Sequence, residues 1–166
     1  MGVLNIVQYP DARLSQPGMK VTVFDEHLKK IVQDMFETHY QSANCAALAA
    51  TQLGLPYCIT VIDFSEEKNE PLCLINPEII SKHGEQTSQE GCMSVVDIFQ
   101  KVTRAETIKV RYQDVQGNVH EMEASGFMAK CIQHEVDHLQ GVLFIERLTP
   151  LKRMMIEKKL QKLRRK

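Results

Sequence analysis

The sequence predicts an α+β fold in which antiparallel sheets surround a central helix and a second helix ends the chain. β-rich segments follow one another over residues 58–123 with no helical pattern between them, which favours antiparallel over alternating parallel sheets. Apolar residues then recur at helical spacing over residues 126–139, and residues 149–166 form a basic, roughly helical pattern. A length of 166 residues with 43% hydrophobic content suits one domain with its own core.

The individual elements follow in order along the chain. Pro10 and the Pro17-Gly18 pair indicate an irregular N-terminal arm over residues 1–23. Asp25 is the expected N-cap of a helix with one apolar stripe formed by Leu28, Ile31, Val32, Met35 and Phe36. Residues 41–55 predict a loop and a short strand beside the functional site. Strands are predicted at 58–62, 72–77 and 79–80, and a hairpin at 107–112 and 119–123.

The central helix carries a His-Glu-x-x-His pattern at His134, Glu135 and His138. Residues four apart lie on one face of a helix, so both imidazoles can reach a single divalent metal ion. Glu135 stands beside the first imidazole as a potential general base for water on that metal. The pattern predicts a catalytic metal site, provided that a third ligand exists.

Three positions compete to be that ligand. One zinc protease pattern requires a third histidine where this chain has Phe144, so it fails. Glu157 would serve a zinc metallopeptidase of the glutamate-ligand kind, although its basic neighbours are typical of a solvated surface. Cys92 is a soft donor, and one Cys with two His leaves a coordination position open for water, as catalytic sites do.

Three motifs, in this order, resemble the peptide deformylase family: Leu48-Ala49-Ala50-Thr51-Gln52, Glu90-Gly91-Cys92-Met93-Ser94 and the His134 to His138 pattern. Residues 9–14, 34–38 and 141–145 also look like that family, so the resemblance covers nearly the whole chain. It implies a metal-dependent hydrolase that removes the formyl group from N-formylmethionyl nascent peptides. The expected catalytic unit is residues 1–148, with residues 149–166 as a basic C-terminal helix of the same domain.

The resemblance also implies roles for individual residues. The expected metal ligands are Cys92, His134 and His138. The ion would be Fe²⁺, with Zn²⁺, Ni²⁺ or Co²⁺ able to replace it. A bound metal would lower the pKa of water towards neutrality, and Glu135 would carry the proton to the leaving amine. The expected oxyanion donors are the Gln52 amide and the Met93 N–H. The substrate-binding residues implied are Ala47, Leu48, Glu90, Phe127 and Cys131. By helical periodicity, Lys130 is expected to face elsewhere.

Several positions depart from the family pattern. Cys45 and Ala47 stand where the family has two glycines, and a Cβ there can forbid positive φ and close backbone approach. Phe99 stands where the family has an arginine near the substrate. Arg104 does match, and we expect it to pair with Glu90 as part of the scaffold. These departures leave open a deformylase-like paralogue that acts on other N-acylated substrates or binds metal without turnover.

Charge is divided unevenly along the chain. Residues 151–166 contain eight Lys or Arg and one Glu (+7), so the remaining 150 residues carry −8 of the total of −1. Thr149 and Pro150 predict the start of a helix, and its cations suit the ribosomal surface from which nascent chains emerge. No base-reading motif and no membrane-length apolar run are present, so neither sequence-specific nucleic-acid binding nor a membrane span is expected. Five cysteines without paired spacing favour a reducing, cytoplasmic location.

Overall fold

The structure is a computed structural model that describes residues 3–42 and 45–164. Helix α1 spans Glu26–Gln41 and begins as the sequence predicts, because the Asp25 carboxylate accepts a hydrogen bond from the Leu28 N–H at 3.0 Å. Its apolar stripe is buried at Leu28, Val32 and Met35, which pack on the first strands of the sheet. The N-terminal arm contains a single 3-10 turn at Ala12–Ser15.

The larger sheet has five antiparallel strands in the order β1-β2-β3-β6-β7. Their bounds are Ala47–Ala49, Ile59–Ile62, Leu72–His83, Thr107–Gln113 and Val119–Ser125, respectively. The predicted β6–β7 hairpin is confirmed. The two strands predicted at 72–77 and 79–80 are one continuous strand. Pro77 lies in a register shift between the Ile75–Gln113 and Glu78–Arg111 pairs, where a residue without an N–H does not end the pairing with β6. Strand β1 lies at the edge of the sheet.

The sequence did not predict the second sheet, a hairpin of β4 (Gln86–Cys92) and β5 (Val95–Arg104). Its inward residues Val95, Ile98 and Val102 are three and four positions apart, which resembles a helical period. The cause is an irregularity in β5: Asp97 has φ +66°, and the register shifts between the Glu90 and Cys92 pairs. The extra residues of β5 break the period-two pattern by which strands are recognised.

Helix α2 spans Gly126–Leu139 and lies between the two sheets. Ala129, Ile132 and Val136 pack against the five-stranded sheet, and every residue from 131 to 139 is buried. The helix ends at a tight turn in which Gly141 has φ +80°. A Cβ at this position would lie 2.5 Å from the Ser15 carbonyl oxygen, so only glycine fits.

A 3-10 turn at Phe144–Arg147 leads to helix α3, Pro150–Arg164. Thr149 caps α3, since its Oγ1 accepts from the Lys152 N–H at 3.3 Å. Ile156 and Leu160 are buried against a core cluster that includes β5. Arg165 and Lys166 of the predicted basic segment lie outside the described residues. The α+β prediction is confirmed. Among the described residues, none of the helices combines the length and hydrophobicity that crossing a bilayer requires.

Candidate metal centre

The C-terminal end of β4 and the second half of α2 bring together the three predicted metal ligands. Cys92 Sγ lies 3.2 Å from His138 Nε2, which lies 3.1 Å from His134 Nε2. All three donor atoms are within 4.8 Å of one another. Ligands at about 2.0–2.3 Å from one ion lie roughly 3–4 Å apart, so this arrangement fits a metal ion. A thiol and two imidazoles suit divalent transition metals.

Glu135 lies beside this cluster with its carboxylate buried and 4% of its surface exposed. Within the described part of the chain, its Oε1 has no hydrogen-bond partner. Burial raises the pKa of the Glu135 carboxyl to about 7. A carboxylate with a free oxygen and a pKa near neutrality can both accept and release a proton at physiological pH.

Glu90 fixes the orientation of one ligand. Its Oε1 accepts a hydrogen bond from His134 Nδ1 at 2.8 Å, and Arg104 binds both of its oxygens at 2.6 and 2.9 Å. Burial alone would raise the pKa of Glu90, but the hydrogen bonds from His134 and Arg104 outweigh it and hold the pKa at about 2. The predicted Glu90–Arg104 pair is confirmed. Both oxygens of Glu90 are occupied, so the residue positions His134. Glu90 also lines the cavity, and its contact with substrate stays a prediction.

The ion-pair network continues to a residue that the sequence did not single out. Asp137 is buried, and its Oδ2 lies 2.8 Å from Arg104 Nη1. Arg147 binds the same carboxylate at 2.6 and 3.0 Å. Asp137 belongs to the predicted central helix, and an aspartate that is buried there needs a cationic partner. The sequence therefore held a signal for an ion pair at this residue. The sequence did not show which cations would pair with Asp137, because Arg104 and Arg147 lie outside the helix.

We expect Arg104→Met to destabilise the fold by about 3–5 kcal/mol, because it leaves the buried Glu90 and Asp137 carboxylates without their shared cation. The loss should be measured as a lower midpoint of urea unfolding. Arg111→Met is the matched control. It removes a half-exposed pair with Glu121, which is worth less than about 1 kcal/mol. Equal losses in the two variants would show that the buried network adds nothing beyond a surface ion pair.

Gln52 is placed where the sequence predicts an oxyanion donor. Its Oε1 accepts from the Ala49 N–H at 2.9 Å, which turns Nε2 towards Cys92 Sγ at 3.5 Å and Ser94 Oγ at 3.2 Å. The second predicted donor is the backbone N–H of Met93. For this N–H, the described residues offer no hydrogen-bond acceptor.

The N-terminal arm holds both of these segments, a function that the sequence did not reveal. Val7 N–H donates to the Gln52 carbonyl at 2.6 Å, and the Gln8 side chain donates to the Met93 carbonyl at 2.8 Å. Tyr9 N–H donates to the Ser94 carbonyl at 2.8 Å. The irregular arm therefore ties the Gln52 and Met93 segments to each other.

A cavity of about 530 Å³ opens beside the metal ligands. Phe127 and Cys131 line it, as predicted, and so does Phe99, whose ring lies over Gly91. A Cβ on Gly91 would lie 2.5 Å from that ring, so the exposed Phe99 side chain would have to move to admit a larger residue there. The expectation for Leu48 is corrected, because its side chain is fully buried in the core and not in the cavity.

The expectation for Lys130 is also wrong, since this residue lines the cavity. Lys130 precedes His134 by four residues, so the two side chains lie on the same face of α2. The ammonium group lies 5.0 Å from the centre of the Phe127 ring and donates to the Gln89 carbonyl on β4 at 3.2 Å.

The open edge of β1 forms the opposite wall of the cavity. The Ala46 carbonyl accepts from the Asp63 N–H at 3.0 Å, so Ala46 faces β2, and by alternation the N–H and C=O of Ala47 face the open edge. Neither Cys45 nor Ala47 has a positive φ, so alanine and cysteine meet no backbone strain here. Burial raises the pKa of the Cys45 thiol to about 12, which disfavours the nucleophilic thiolate, and the thiol donates to the Ala47 carbonyl at 3.4 Å.

Glu157 lies away from this centre. Its carboxylate accepts a hydrogen bond from the Tyr9 hydroxyl at 3.2 Å and lies 3.6 Å from Arg153 Nε. In the described ranges, it is not part of the metal-binding cluster. The metallopeptidase alternative therefore lacks its ligand.

An α+β domain with a Cys-His-His donor set, a buried carboxylate beside it and an open cavity has the make-up of a metal-dependent hydrolase. Sequence comparison specifies the family, because the profile of polypeptide deformylase matches residues 3–154. The chain is 58% identical to peptide deformylase 1 of Coxiella burnetii, with 98% of each chain covered. It is 50% identical to peptide deformylase of Chromobacterium violaceum, covering 98% of this chain and 96% of the relative.

Solved structures agree with the sequence relatives. The crystal structure of a peptide deformylase from Legionella pneumophila matches with a TM-score of 0.92 and 42% identity, over 98% of this chain and 96% of that one. The Ehrlichia chaffeensis enzyme in complex with actinonin matches with a TM-score of 0.91 and 38% identity, over the whole of both chains. The chain belongs to the polypeptide deformylase family.

Proposed function

We propose that this chain is a metal-dependent peptide deformylase that hydrolyses the formamide bond of N-formylmethionyl nascent peptides. One observation carries the proposal: a buried carboxylate with a free oxygen lies directly beside a cluster of one thiol and two imidazoles. Family membership supports the same reaction.

Cys92, His134 and His138 would hold the metal ion. When bound, the metal supplies a Lewis acid that lowers the pKa of water and polarises the formyl carbonyl. We infer Fe²⁺ as the ion used in the cell, with Zn²⁺, Ni²⁺ or Co²⁺ able to occupy the same donors. The mixed thiol and imidazole set accepts all four ions, and the choice of iron among them rests on the resemblance to the deformylase family.

Glu135 moves the proton in the proposed reaction. It accepts a proton from the attacking water and delivers it to the amine nitrogen as the C–N bond breaks, so that formate and a free N-terminus leave. Its buried position excludes bulk water, and its pKa of about 7 suits both halves of this transfer.

Two hydrogen-bond donors stabilise the charge that develops on the formyl oxygen. These are Gln52 Nε2, which is aimed by the Ala49 N–H, and the Met93 N–H. Because both are held by the N-terminal arm, they need little reorganisation during the reaction. One such donor is typically worth about 3 kcal/mol of transition-state stabilisation.

The peptide would add as a strand to the open edge of β1, which the N–H and C=O of Ala47 face. The Cys45 thiol, which donates to the Ala47 carbonyl at 3.4 Å, would have to give up that hydrogen bond to the peptide. The first side chain would then enter the cavity formed by Phe127 and Cys131. The main-chain hydrogen bonds do not depend on peptide sequence, which suits an enzyme that must act on many nascent chains.

Helix α3 is a proposed electrostatic contact with the ribosome. Its buried side chains, Ile156 and Leu160, attach it to the same core as residues of β5, which supports a single domain. Lys152, Arg153, Lys158, Lys159 and Lys162 leave it strongly basic. Basic side chains bind phosphates without reading bases, so this contact is proposed to be independent of RNA sequence.

The direct test is hydrolysis of a formyl-Met-Ala-Ser peptide by protein purified and iron-loaded without oxygen. We expect formate release in step with a new free amine, and no release of acetate from the acetyl-Met-Ala-Ser control. Formyl-Met alone, assayed in parallel, tests for a paralogue that prefers simple N-acylated substrates. If formyl-Met-Ala-Ser is not hydrolysed while one equivalent of metal is bound, the proposed function is wrong.

The same assay distinguishes the metals. Activity of the iron-loaded protein should decay in air, because a thiolate-bound Fe²⁺ site open to solvent is oxidised, whereas Zn²⁺ has no redox chemistry. We expect the half-life of the protein as isolated to match that of the iron-loaded form. A match to the zinc-loaded form, with zinc found by elemental analysis, would overturn the assignment of iron.

A further inference from the structure

Lys130 places a positively charged donor in the wall of a cavity that is lined by both apolar and acidic side chains. The side chain is partly buried, and its ammonium group is held by the Gln89 carbonyl and the face of Phe127. An ammonium group has three N–H donors, and the Gln89 carbonyl takes one of them. Among the described residues, no carboxylate forms an ion pair with Lys130. Donor capacity therefore remains for a ligand in the cavity.

The position of Lys130 along α2 determines which part of the substrate's first side chain it can contact. Lys130 lies one helical turn from His134, about 6 Å along the helix axis. An extended methionine side chain that points from the metal ligands towards Phe127 covers about this distance. The ammonium group also lies 5.0 Å from the centre of the Phe127 ring, which lines the proposed pocket for the first side chain, so it can reach the end of that side chain.

A thioether sulfur is a weak hydrogen-bond acceptor and gains little from this donor. Oxidation of methionine to the sulfoxide converts the same side chain into a polar one with a strong acceptor oxygen. An anionic side chain is less suited, because the cavity is also lined by the carboxylates of Glu90, Asp97 and Glu135. The residues around Lys130 therefore favour a side chain with a neutral hydrogen-bond acceptor.

We propose that Lys130 lets this enzyme deformylate peptides whose first residue is methionine sulfoxide, by donating a hydrogen bond to the sulfoxide oxygen. The inference rests on the proposed deformylase function and extends its substrate class to oxidised nascent chains. Lys130 is then a specificity-determining residue, and the stem of its side chain still packs on Phe127 when the substrate is unoxidised.

The test compares kcat/KM for formyl-Met-Ala-Ser with kcat/KM for each separated sulfoxide epimer of the same peptide. We expect Lys130→Met to increase discrimination against at least one epimer by about 10- to 100-fold, the range for one hydrogen bond from a charged donor. Lys130→Arg should restore much of the loss. Lys101→Met is the matched control, because Lys101 lies opposite Gln89 in the hairpin but does not line the cavity.

Binding of the reaction products gives a readout that is independent of turnover. Calorimetry should show that Lys130→Met weakens binding of Met(O)-Ala-Ser relative to Met-Ala-Ser by a similar factor. Equal discrimination by wild type and Lys130→Met would overturn the inference. So would a stronger dependence on Lys130 for formyl-Glu-Ala-Ser than for the sulfoxide. Failure of all proteins to hydrolyse formyl-Met-Ala-Ser would instead refute the underlying function.

Discussion

Replacing Glu135 with glutamine is expected to lower kcat for deformylation by about 10³-fold while one equivalent of metal stays bound. Glutamine keeps the volume of the buried side chain but cannot take up or release a proton at physiological pH. General acid–base catalysis contributes about 10²–10⁴-fold, and Glu135 is expected to act both on water and on the leaving amine. Formate release from formyl-Met-Ala-Ser measures the loss, and elemental analysis measures the metal.

The control for this variant is Glu123→Gln, which changes an exposed carboxylate on β7 far from the cavity. We expect it to match the wild type in both rate and metal content. Full activity of the Glu135→Gln protein would mean that another group moves the proton. A loss of metal along with activity would mean that Glu135 acts mainly by supporting the site, because its neighbour His134 is a ligand.

Cys92→Ala is expected to abolish both stable metal binding and deformylation. The donor set falls from three atoms to two, and the two remaining imidazoles come from one helix. Loss of groups that only support ligands already costs about 10–100-fold in metal affinity, so loss of a ligand should cost more. Metal content after gel filtration should fall well below one equivalent, and activity should fall at least about 10³-fold.

Cys58→Ala provides the comparison, since Cys58 is a partly buried thiol that does not line the active-site cavity. It should keep its metal and its activity. A Cys92→Ala protein that still holds one equivalent of metal and turns over substrate would require a different third ligand. In that case the distance of 3.2 Å between Cys92 Sγ and His138 Nε2 would reflect packing alone.

The strand errors in the prediction have a common cause. Segments with regular alternation or apolar runs, such as β2, β6 and β7, are recognised because their pattern is local. β4 and β5 were missed because Asp97 has a positive φ and the β4–β5 register shifts around Cys92, so inward residues no longer alternate. The irregular part of that hairpin supplies Phe99 and Asp97 to the cavity.

By itself, the sequence determined which residues are candidates for the metal centre and which family the chain resembles. Its motifs and spacing indicated the α+β class, the Cys92, His134 and His138 donor set, the adjacent Glu135 and the Glu90–Arg104 pair. The His134, Glu135 and His138 pattern depends on residue type and helical spacing, which are local properties, whereas the Glu90–Arg104 pair was implied by the resemblance to the deformylase family. The sequence also indicated the deformylase family, which the comparisons confirm.

Only the tertiary structure decided which side chains face the cavity and which residues support the site. In the structure, the Leu48 side chain lies in the core and Lys130 lies in the cavity wall. Asp137 forms ion pairs with Arg104 and Arg147. The physical reason is that these contacts join segments far apart in the chain. Their partners are selected by how sheets and helices pack, which a single sequence does not show. Lys130 is the exception, because its spacing of four residues from His134 is a local signal that both face the same side of α2.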